Sequence, residues 1–260
     1  MKLWSKDNTD TSKLVETFTV GKDREFDLLL APFDILGSIA HAKMLASVGL
    51  LTDAEATQII NELKNIYKLT HESRLTIQEN VEDIHSQVEL LLTEKLGDTG
   101  KKIHSARSRN DQVLVDVKLF LRNEIEELVN KVQPFFQLLL QQSEKYKQHL
   151  FPGYTHLQLA MPSSFGLWFG AYAESLVDDM VTLQGAYTVV NKNPLGSAAG
   201  YGSSFPINRT LTTQLLGFAD LNYMWYMLKW VVVKQNVLPQ WHWLTLLILW
   251  QGLAWTLVYT

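Results

Sequence analysis

The segment DQVLVDVKLFLRNEIEELVNKV, residues 111–132, decides the fold of this chain. Its apolar residues recur three or four positions apart, which is the spacing of one face of an α-helix. The stripe consists of Leu114, Val117, Leu121, Ile125, Leu128 and Val132. Such a stripe is typical of a long helix that packs against other helices. We expect Pro134 to kink or interrupt this helix, because proline lacks the backbone N–H.

The same apolar spacing recurs on both sides of this segment. It predicts helices over residues 34–48, over 81–96, over about 163–190, and after a capping-box pattern at Thr52–Glu55. Polar loops are predicted at 98–112 and 150–158, with a loop rich in Gly and Ser at 193–206. No alternating strand pattern of useful length is present. The sequence therefore predicts an all-α protein.

Composition excludes several classes of protein. The formal net charge of −4 and the pI near 6.0 give no support for nucleic-acid binding. The chain has no cysteine, so disulfides, thiol nucleophiles and thiolate metal sites are excluded. The first residues lack the apolar run of a secretory signal, and we expect no membrane-spanning segment before Tyr223. These features fit a cytoplasmic protein.

The run IHSARSRNDQV, residues 103–113, stands where the long helix begins. Arginine can grip a carboxylate through two parallel hydrogen bonds, and the free N–H groups of a helix N-terminus favour anions. This run therefore predicts a site for an anionic substrate. A solvated and well-capped helix start is the alternative, and both interpretations can hold together.

Four blocks carry a resemblance to a known family. Argininosuccinate lyases contain segments similar to EDIH at 82–85, SARSRNDQV at 105–113, PGYTHLQ at 152–158 and NPLGSAAG at 193–200. The blocks occur in the family's order, and the resemblance covers about residues 1–223. It implies a fold of the fumarase/aspartase type, with an N-terminal helical domain at 1–105 and an incomplete long-helix bundle at 106–223.

The resemblance also implies a reaction and its residues. Argininosuccinate would be eliminated to arginine and fumarate, a step of arginine biosynthesis, by a homotetramer whose sites draw on three subunits. His156 would transfer a proton, as acid or as partner to the base. Thr155 and Asn110 would donate hydrogen bonds to the substrate, and Ser108 and Arg109 would line the same wall. Neither a metal nor an organic cofactor is implied. His85 is as compatible with a structural role as with a role in the site. Arg107 could equally form a structural ion pair.

One departure from the family puts activity in doubt. The family's catalytic serine lies in a GSSxMPxKxN-type signature that this sequence lacks, and GSSFP at 202–206 resembles only its first letters. We therefore expect no measurable lyase activity from this chain alone.

The tail at 224–260 differs in composition from the rest of the chain. It holds six of the eight tryptophans and no Asp or Glu. A buried helix would have to satisfy six indole N–H groups. A membrane anchor over 244–259 would be shorter than the roughly 20 residues that a span needs. Shifting the reading frame back by one base gives a polar continuation compatible with VVYAQMGRGKTE, so we interpret the tail as frameshifted and the chain as a truncated lyase.

Three other functions stay open at this point. The chain resembles, less closely, other fumarate-releasing lyases that act on adenylosuccinate, malate or aspartate. A non-catalytic structural protein on the same fold is a second alternative, and a tail-anchored membrane protein is a third.

Overall fold

The computed structural model describes residues 23–78 and 81–223, and most of these residues are helical. The predictions for the N-terminal stretch before Asp23 and for the tail at 224–260 concern residues outside the described ones. The elements are α1 (Asp23–Ser47), α2 (Asp53–His71), α3 (Ile84–Leu96), α4 (Asp98–Lys101), a 3₁₀ turn (Lys102–His104), α5 (Arg109–Lys145), β1 (Leu150–Thr155), β2 (Gln158–Ser164), α6 (Phe165–Val190), β3 (Lys192–Asn193), α7 (Arg209–Leu215) and β4 (Asp220–Leu221). The predicted all-α class is confirmed.

Sequence signals predicted the capped start of α2 and the end of α3. The backbone N–H of Glu55 donates to Thr52 Oγ1 at 3.2 Å, and that of Thr52 donates to Glu55 Oε2 at 3.0 Å. This reciprocal pair is the predicted capping box. α3 ends at Gly97, which has a φ of 60° that glycine adopts without strain. Its start is three residues later than predicted, because the Asp83 side chain caps the helix by accepting from Ser86 N–H.

Two helices continue through a proline, contrary to expectation. α1 begins at Asp23 rather than at residue 34 and contains Pro32. α5 contains Pro134 and runs without interruption to Lys145. An interruption at Pro134 is therefore wrong, and a kink there stays a prediction. A proline costs a helix interior about 3 kcal/mol, and the packing of a long apolar face can outweigh that cost.

One of the described helices, Arg24–Ser47, is long and apolar enough to cross a membrane by length and composition. The expectation that no segment before Tyr223 would pass this test was wrong. Its most apolar window has a mean hydropathy of 1.4, and 56% of that window is buried within the protein. A core helix has the same properties, since its apolar residues pack against neighbouring helices.

The described residues divide between two compact units, one holding the residues up to Phe120 and from Asn191 onward, the other holding residues 121–190. In the first unit α1, α2 and α3 pack around an apolar core. This core contains most of the residues that the periodicity singled out: Ile35, Met44, Leu45, Ile59, Leu63, Ile66, Ile84, Val88 and Leu92. A smaller cluster joins Ala40, Val115 and Leu195.

The second unit contains the later part of α5, α6 and a β-hairpin. Ile125 packs with Leu183 and Val190, and Leu139 packs with Ala173 and Leu176. α5 and α6 thus pack against each other along the apolar stripe that the sequence predicted. The domain boundaries proposed from sequence, 105/106 and 223/224, stay predictions.

The hairpin stands where the sequence predicted a polar loop. β1 pairs antiparallel with β2 from Leu150↔Ser164 to Thr155↔Gln158, with an irregularity between Gly153 and Tyr154. Most of its side chains are exposed, so no apolar alternation marks the strands. A side chain at Gly153 would meet the Met161 carbonyl oxygen at 2.8 Å, so the close pairing requires glycine there.

Candidate functional site

The start of α5 is capped by its own sequence. Ser108 Oγ accepts from the backbone N–H of Asn110 at 3.3 Å. The Ser108 N–H donates to Asp111 Oδ1 at 2.9 Å. The preceding Ala106 has a φ of 57°, a left-handed conformation that turns the chain into the helix. The capping alternative is therefore confirmed, and it leaves the substrate-binding prediction open.

Arg109 projects from the first turn of α5 and is held by α3. Its Nη2 donates to Ser86 Oγ at 3.1 Å and its Nη1 to Gln112 Oε1 at 3.3 Å. Asp83 Oδ2 lies 3.5 Å from its Nε, and its side chain is 21% exposed. Asn110 is exposed, and its Nδ2 donates to Ser108 Oγ at 3.1 Å. The structure thus groups Ser108, Arg109 and Asn110 at one helix end.

Arg107 lies in the interior of the first unit. Its Nη1 donates to Ser38 Oγ at 2.8 Å, and Glu89 Oε1 lies 3.8 Å from its Nη2. Only 2% of its side chain is exposed. The structural ion pair that the sequence left open for Arg107 is the role that this geometry supports.

A buried polar cluster lies beneath the α5 entrance. His85 Nδ1 lies 3.0 Å from Asp34 Oδ1 and 3.3 Å from Asp116 Oδ2. Gln112 Nε2 donates to Asp34 Oδ1 at 2.6 Å. All four residues are buried. His85 is therefore a core histidine with carboxylate partners, which supports the structural role that the sequence left open.

The two carboxyl groups of this cluster differ in acidity. Burial alone would raise the pKa of Asp34, but His85, Arg107 and Gln112 outweigh it and lower the pKa to about 2. Burial, and then the charge of Asp34, raises the pKa of Asp116 well above its usual value. Two adjacent carboxyl groups that cannot both ionise commonly separate in this way. Asp34 is therefore the stronger acid of the two carboxyl groups.

Among the described residues, Asp34, His85 and Asp116 form the group of side chains that could surround a metal ion, with potential ligand atoms within 4.8 Å of one another. Asp34 Oδ1 already accepts from two neighbours, and the Arg107 guanidinium supplies positive charge beside it. Gln112 and Arg107 thus offset part of the negative charge of the cluster, and we assign no metal to it.

The Gly- and Ser-rich segment after β3 is fastened to α5. Asp111 Oδ2 accepts from the backbone N–H groups of Gly196 at 2.8 Å and Ala198 at 2.9 Å. Gly196 has a φ of 86°, and a side chain there would meet Arg209 Cγ at 2.8 Å. Two N–H groups of this loop thus bind a side chain of the protein itself.

Lys118 and Arg209 hold the rest of that segment. The fully buried Lys118 donates to the Lys192 carbonyl at 2.7 Å and also to Asn222 Oδ1. Arg209 Nε donates to the Leu195 carbonyl at 2.9 Å. Burial lowers the pKa of Lys118 to about 7. Cationic side chains here satisfy backbone carbonyls instead of carboxylates.

Thr155 and His156 lie at the tip of the hairpin, in the second unit, and both are exposed. His156 and Leu157 have φ values of 51° and 62°, as a two-residue hairpin turn of the mirror-image type requires. The structure therefore brings Thr155 and His156 together, and separately Ser108, Arg109 and Asn110. Their common membership of one site stays a prediction.

Residues 6–234 match the model of a protein family described as lyase. The chain belongs to this lyase family. The family resemblance read from the four sequence blocks is thereby confirmed.

Proteins named argininosuccinate lyase are relatives of this chain. Those of Bacteroides fragilis and Bacteroides thetaiotaomicron are each 64% identical over 222 residues, which is 85% of this chain and 49% or 50% of the relative. That of Thermotoga neapolitana is 40% identical over 85% of this chain and 56% of its own length. The chain spans about half the length of the curated relatives it matches.

Solved structures show the same fold. An EDDS lyase variant with bound fumarate has a TM-score of 0.70 at 24% identity, over 85% of this chain and 44% of that one. The β-carboxy-cis,cis-muconate cycloisomerase of Acinetobacter calcoaceticus has a TM-score of 0.62 at 19% identity, over 82% and 52%. At these identities the likeness concerns the fold alone.

The sequence analysis did not predict the buried charges of this chain. Asp34, Asp116 and Lys118 are fully buried, although charged residues usually face solvent. A signal was present: Gln112 and Asp116 are four residues apart, and apolar residues flank Asp116 on both sides. Polar residues at helical spacing inside an apolar face indicate a buried hydrogen-bonded cluster.

The buried His41 makes the stability of the fold sensitive to acid. Burial, with Arg107 nearby, lowers the pKa of His41 to about 3, and its Nε2 lies 2.9 Å from the Ser105 carbonyl oxygen. An unfolded chain protonates this imidazole near pH 6.5. Above pH 6.5 His41 therefore does not reduce the free energy of unfolding. As the pH falls below that value the free energy of unfolding decreases, because the unfolded state binds a proton that the folded state does not.

We expect His41→Gln to weaken this pH dependence, since glutamine keeps a donor toward Ser105 but does not titrate. Between pH 7.5 and pH 4.5 the free energy of unfolding should fall by about 2 kcal/mol less in the variant than in the unmodified chain. Urea unfolding at both pH values measures the difference. Equal losses in the two proteins would show that His41 does not cause the acid sensitivity.

Proposed function

We propose that the whole protein is an argininosuccinate lyase that eliminates fumarate from argininosuccinate and leaves arginine. The observation that carries this proposal is the 64% identity to curated argininosuccinate lyases over 222 residues. All four sequence blocks lie within residues 82–200. Argininosuccinate is therefore the proposed substrate, and a homotetramer in the cytoplasm is the proposed assembly.

The elimination breaks a carbon–nitrogen bond. A base removes a proton from the carbon beside a carboxylate, the electron pair forms the double bond of fumarate, and an acid protonates the leaving guanidinium nitrogen. The developing dianion needs fixed hydrogen-bond donors. Arg109 and Asn110 supply donors at the α5 entrance, where Ser108 holds the Asn110 amide. Thr155 supplies a hydroxyl on the hairpin.

His156 is the proposed proton-transfer residue. An imidazole can exchange protons near neutral pH, and the side chain is exposed at the hairpin tip. Because sites in this family are shared among subunits, the hairpin of one copy would complete a site begun by the α5 entrance of another.

A chimaera tests the proposal. Residues 1–223 of this chain are joined to the C-terminal half of the Bacteroides fragilis relative, and fumarate absorbance is followed with four substrates: argininosuccinate, adenylosuccinate, malate and aspartate. We expect release from argininosuccinate to exceed the others by about 10²-fold or more, because a site built to pair a polar group rejects a substrate that lacks it.

The C-terminal half alone serves as the control and should be inactive. Preference for adenylosuccinate, malate or aspartate would assign the protein to another fumarate-releasing reaction. A folded chimaera that releases no fumarate from any of the four would contradict the enzymatic proposal and favour the structural alternative.

A further inference from the structure

Arg109 is the proposed hydrogen-bond donor to a substrate carboxylate, and contacts with buried side chains orient its guanidinium. Its Nη1 donates to Gln112 Oε1 at 3.3 Å. The other end of the same amide, Gln112 Nε2, donates to Asp34 Oδ1 at 2.6 Å. Asp34 and Gln112 are 0% and 1% exposed, so water does not compete for these contacts.

The chemistry of the three groups permits only one order. An ionised carboxylate only accepts hydrogen bonds, and a guanidinium only donates them. The amide between them must therefore turn its NH2 toward Asp34 and its oxygen toward Arg109. Asp34 is held in the ionised form because the neighbouring His85 and Arg107 keep its pKa low against the effect of burial.

We infer that Asp34 and Gln112 are positioning residues, which set the direction of the Arg109 guanidinium through a polarised chain of hydrogen bonds that begins in the buried core. The inference deepens the proposed function and rests on it only for what Arg109 binds. Asp34 lies on α1, far along the sequence from Arg109, and it acts without any contact to substrate.

Isosteric changes test the direction of this chain of hydrogen bonds. Asp34→Asn replaces the charged acceptor by a neutral amide, which can accept from Gln112 only through its one remaining oxygen. The Gln112 amide is then held less firmly, so its oxygen orients Arg109 less strongly. In the double variant Asp34→Asn with Gln112→Glu, the new carboxylate accepts from Asn Nδ2 on one side and from Arg109 on the other. The double variant also restores the net charge.

Phenylglyoxal labelling of the full 260-residue chain measures the effect, with mass spectrometry of the peptide that contains Arg109. We expect Asp34→Asn to accelerate labelling of Arg109 about fivefold, the factor that corresponds to one net hydrogen bond of about 1 kcal/mol. The double variant should return the rate to that of the unmodified chain. Arg74, which is exposed on the same unit, is the internal control and should label equally in all samples.

Rescue by the charge-conserving pair separates positioning from a structural role, because a merely loosened core would not be restored by a second change in it. If Asp34→Asn does not fold, Gln112→Met removes the acceptor of Arg109 and leaves Asp34 in place, and the same fivefold acceleration is expected. Unchanged labelling in folded Asp34→Asn or Gln112→Met, or a double variant as fast as the single one, would overturn the inference. None of these readouts needs substrate, so the fumarate assay tests the proposed function independently.

Discussion

Replacement of His156 by asparagine is expected to lower kcat for argininosuccinate cleavage by about 10²–10⁴-fold, the usual contribution of a positioned acid or base. Asparagine keeps a polar side chain but cannot exchange a proton near neutral pH. It also tolerates the left-handed conformation that His156 adopts, with a φ of 51°. The change therefore removes the chemistry and keeps the backbone. Steady-state fumarate release by the chimaera of residues 1–223 measures it.

The neighbouring position supplies a matched control. Leu157 has a φ of 62° and is 98% exposed, so Leu157→Asn makes the same replacement at the other residue of the turn. Its kcat should stay within about twofold of the unmodified chimaera, since surface substitutions away from special features have small effects. If His156→Asn were as active as Leu157→Asn, the proton-transfer role would have to move to another residue.

Replacement of Arg107 by methionine is expected to destabilise the chain by about 1–3 kcal/mol, the range for leaving a buried polar group without its partner. Methionine fills similar space but leaves Ser38 Oγ without the donor at 2.8 Å. It also removes the cation that favours the ionised form of Asp34. Urea unfolding monitored by circular dichroism gives the free energy of unfolding.

An exposed arginine of the same unit is the control for this variant. Arg74 pairs with Glu72 at 2.9 Å, and 70% of its side chain is exposed. Arg74→Met should change stability by no more than about 1 kcal/mol, because solvent screens exposed pairs. Equal effects of the two substitutions would mean that Arg107 contributes no more than a surface charge.

Features that depend on neighbours in the sequence were predictable. The capping box at Thr52–Glu55, the stop at Gly97 and the apolar face of α5 each follow from residues within one or two helical turns. Their physical causes, satisfaction of free N–H groups and burial of one helix face, operate at that range. The structure therefore confirms them with small shifts in the boundaries.

Features that depend on distant residues were not predictable in the same way. The hairpin at 150–164 follows from pairing between two exposed strands, and a turn of His and Leu carries no hairpin signal. Pro32 and Pro134 remain inside helices because of packing that the local sequence does not state. Asp34 meets Gln112 across 78 positions of the chain. Only the folded arrangement shows that these side chains are partners.

The candidate site shows the same division. The motif at 103–113 predicted an anion-binding entrance, with Arg109 in the site and a structural ion pair left open for Arg107. The structure separates them, since Arg107 points into the core and Arg109 stays partly exposed. Arg107 lies just before the helix, after the left-handed turn at Ala106, whereas Arg109 is the first residue of α5.

The hairpin also limits how this region can change during evolution. A reversal of only two residues has no spare length, so one inserted residue would convert it into a different loop or slide one strand against the other. If one strand slid by one position against the other, its side chains would exchange faces. Thr155 and His156 would then each point to the other side of the hairpin. Insertions and deletions among related genes should therefore spare residues 150–164.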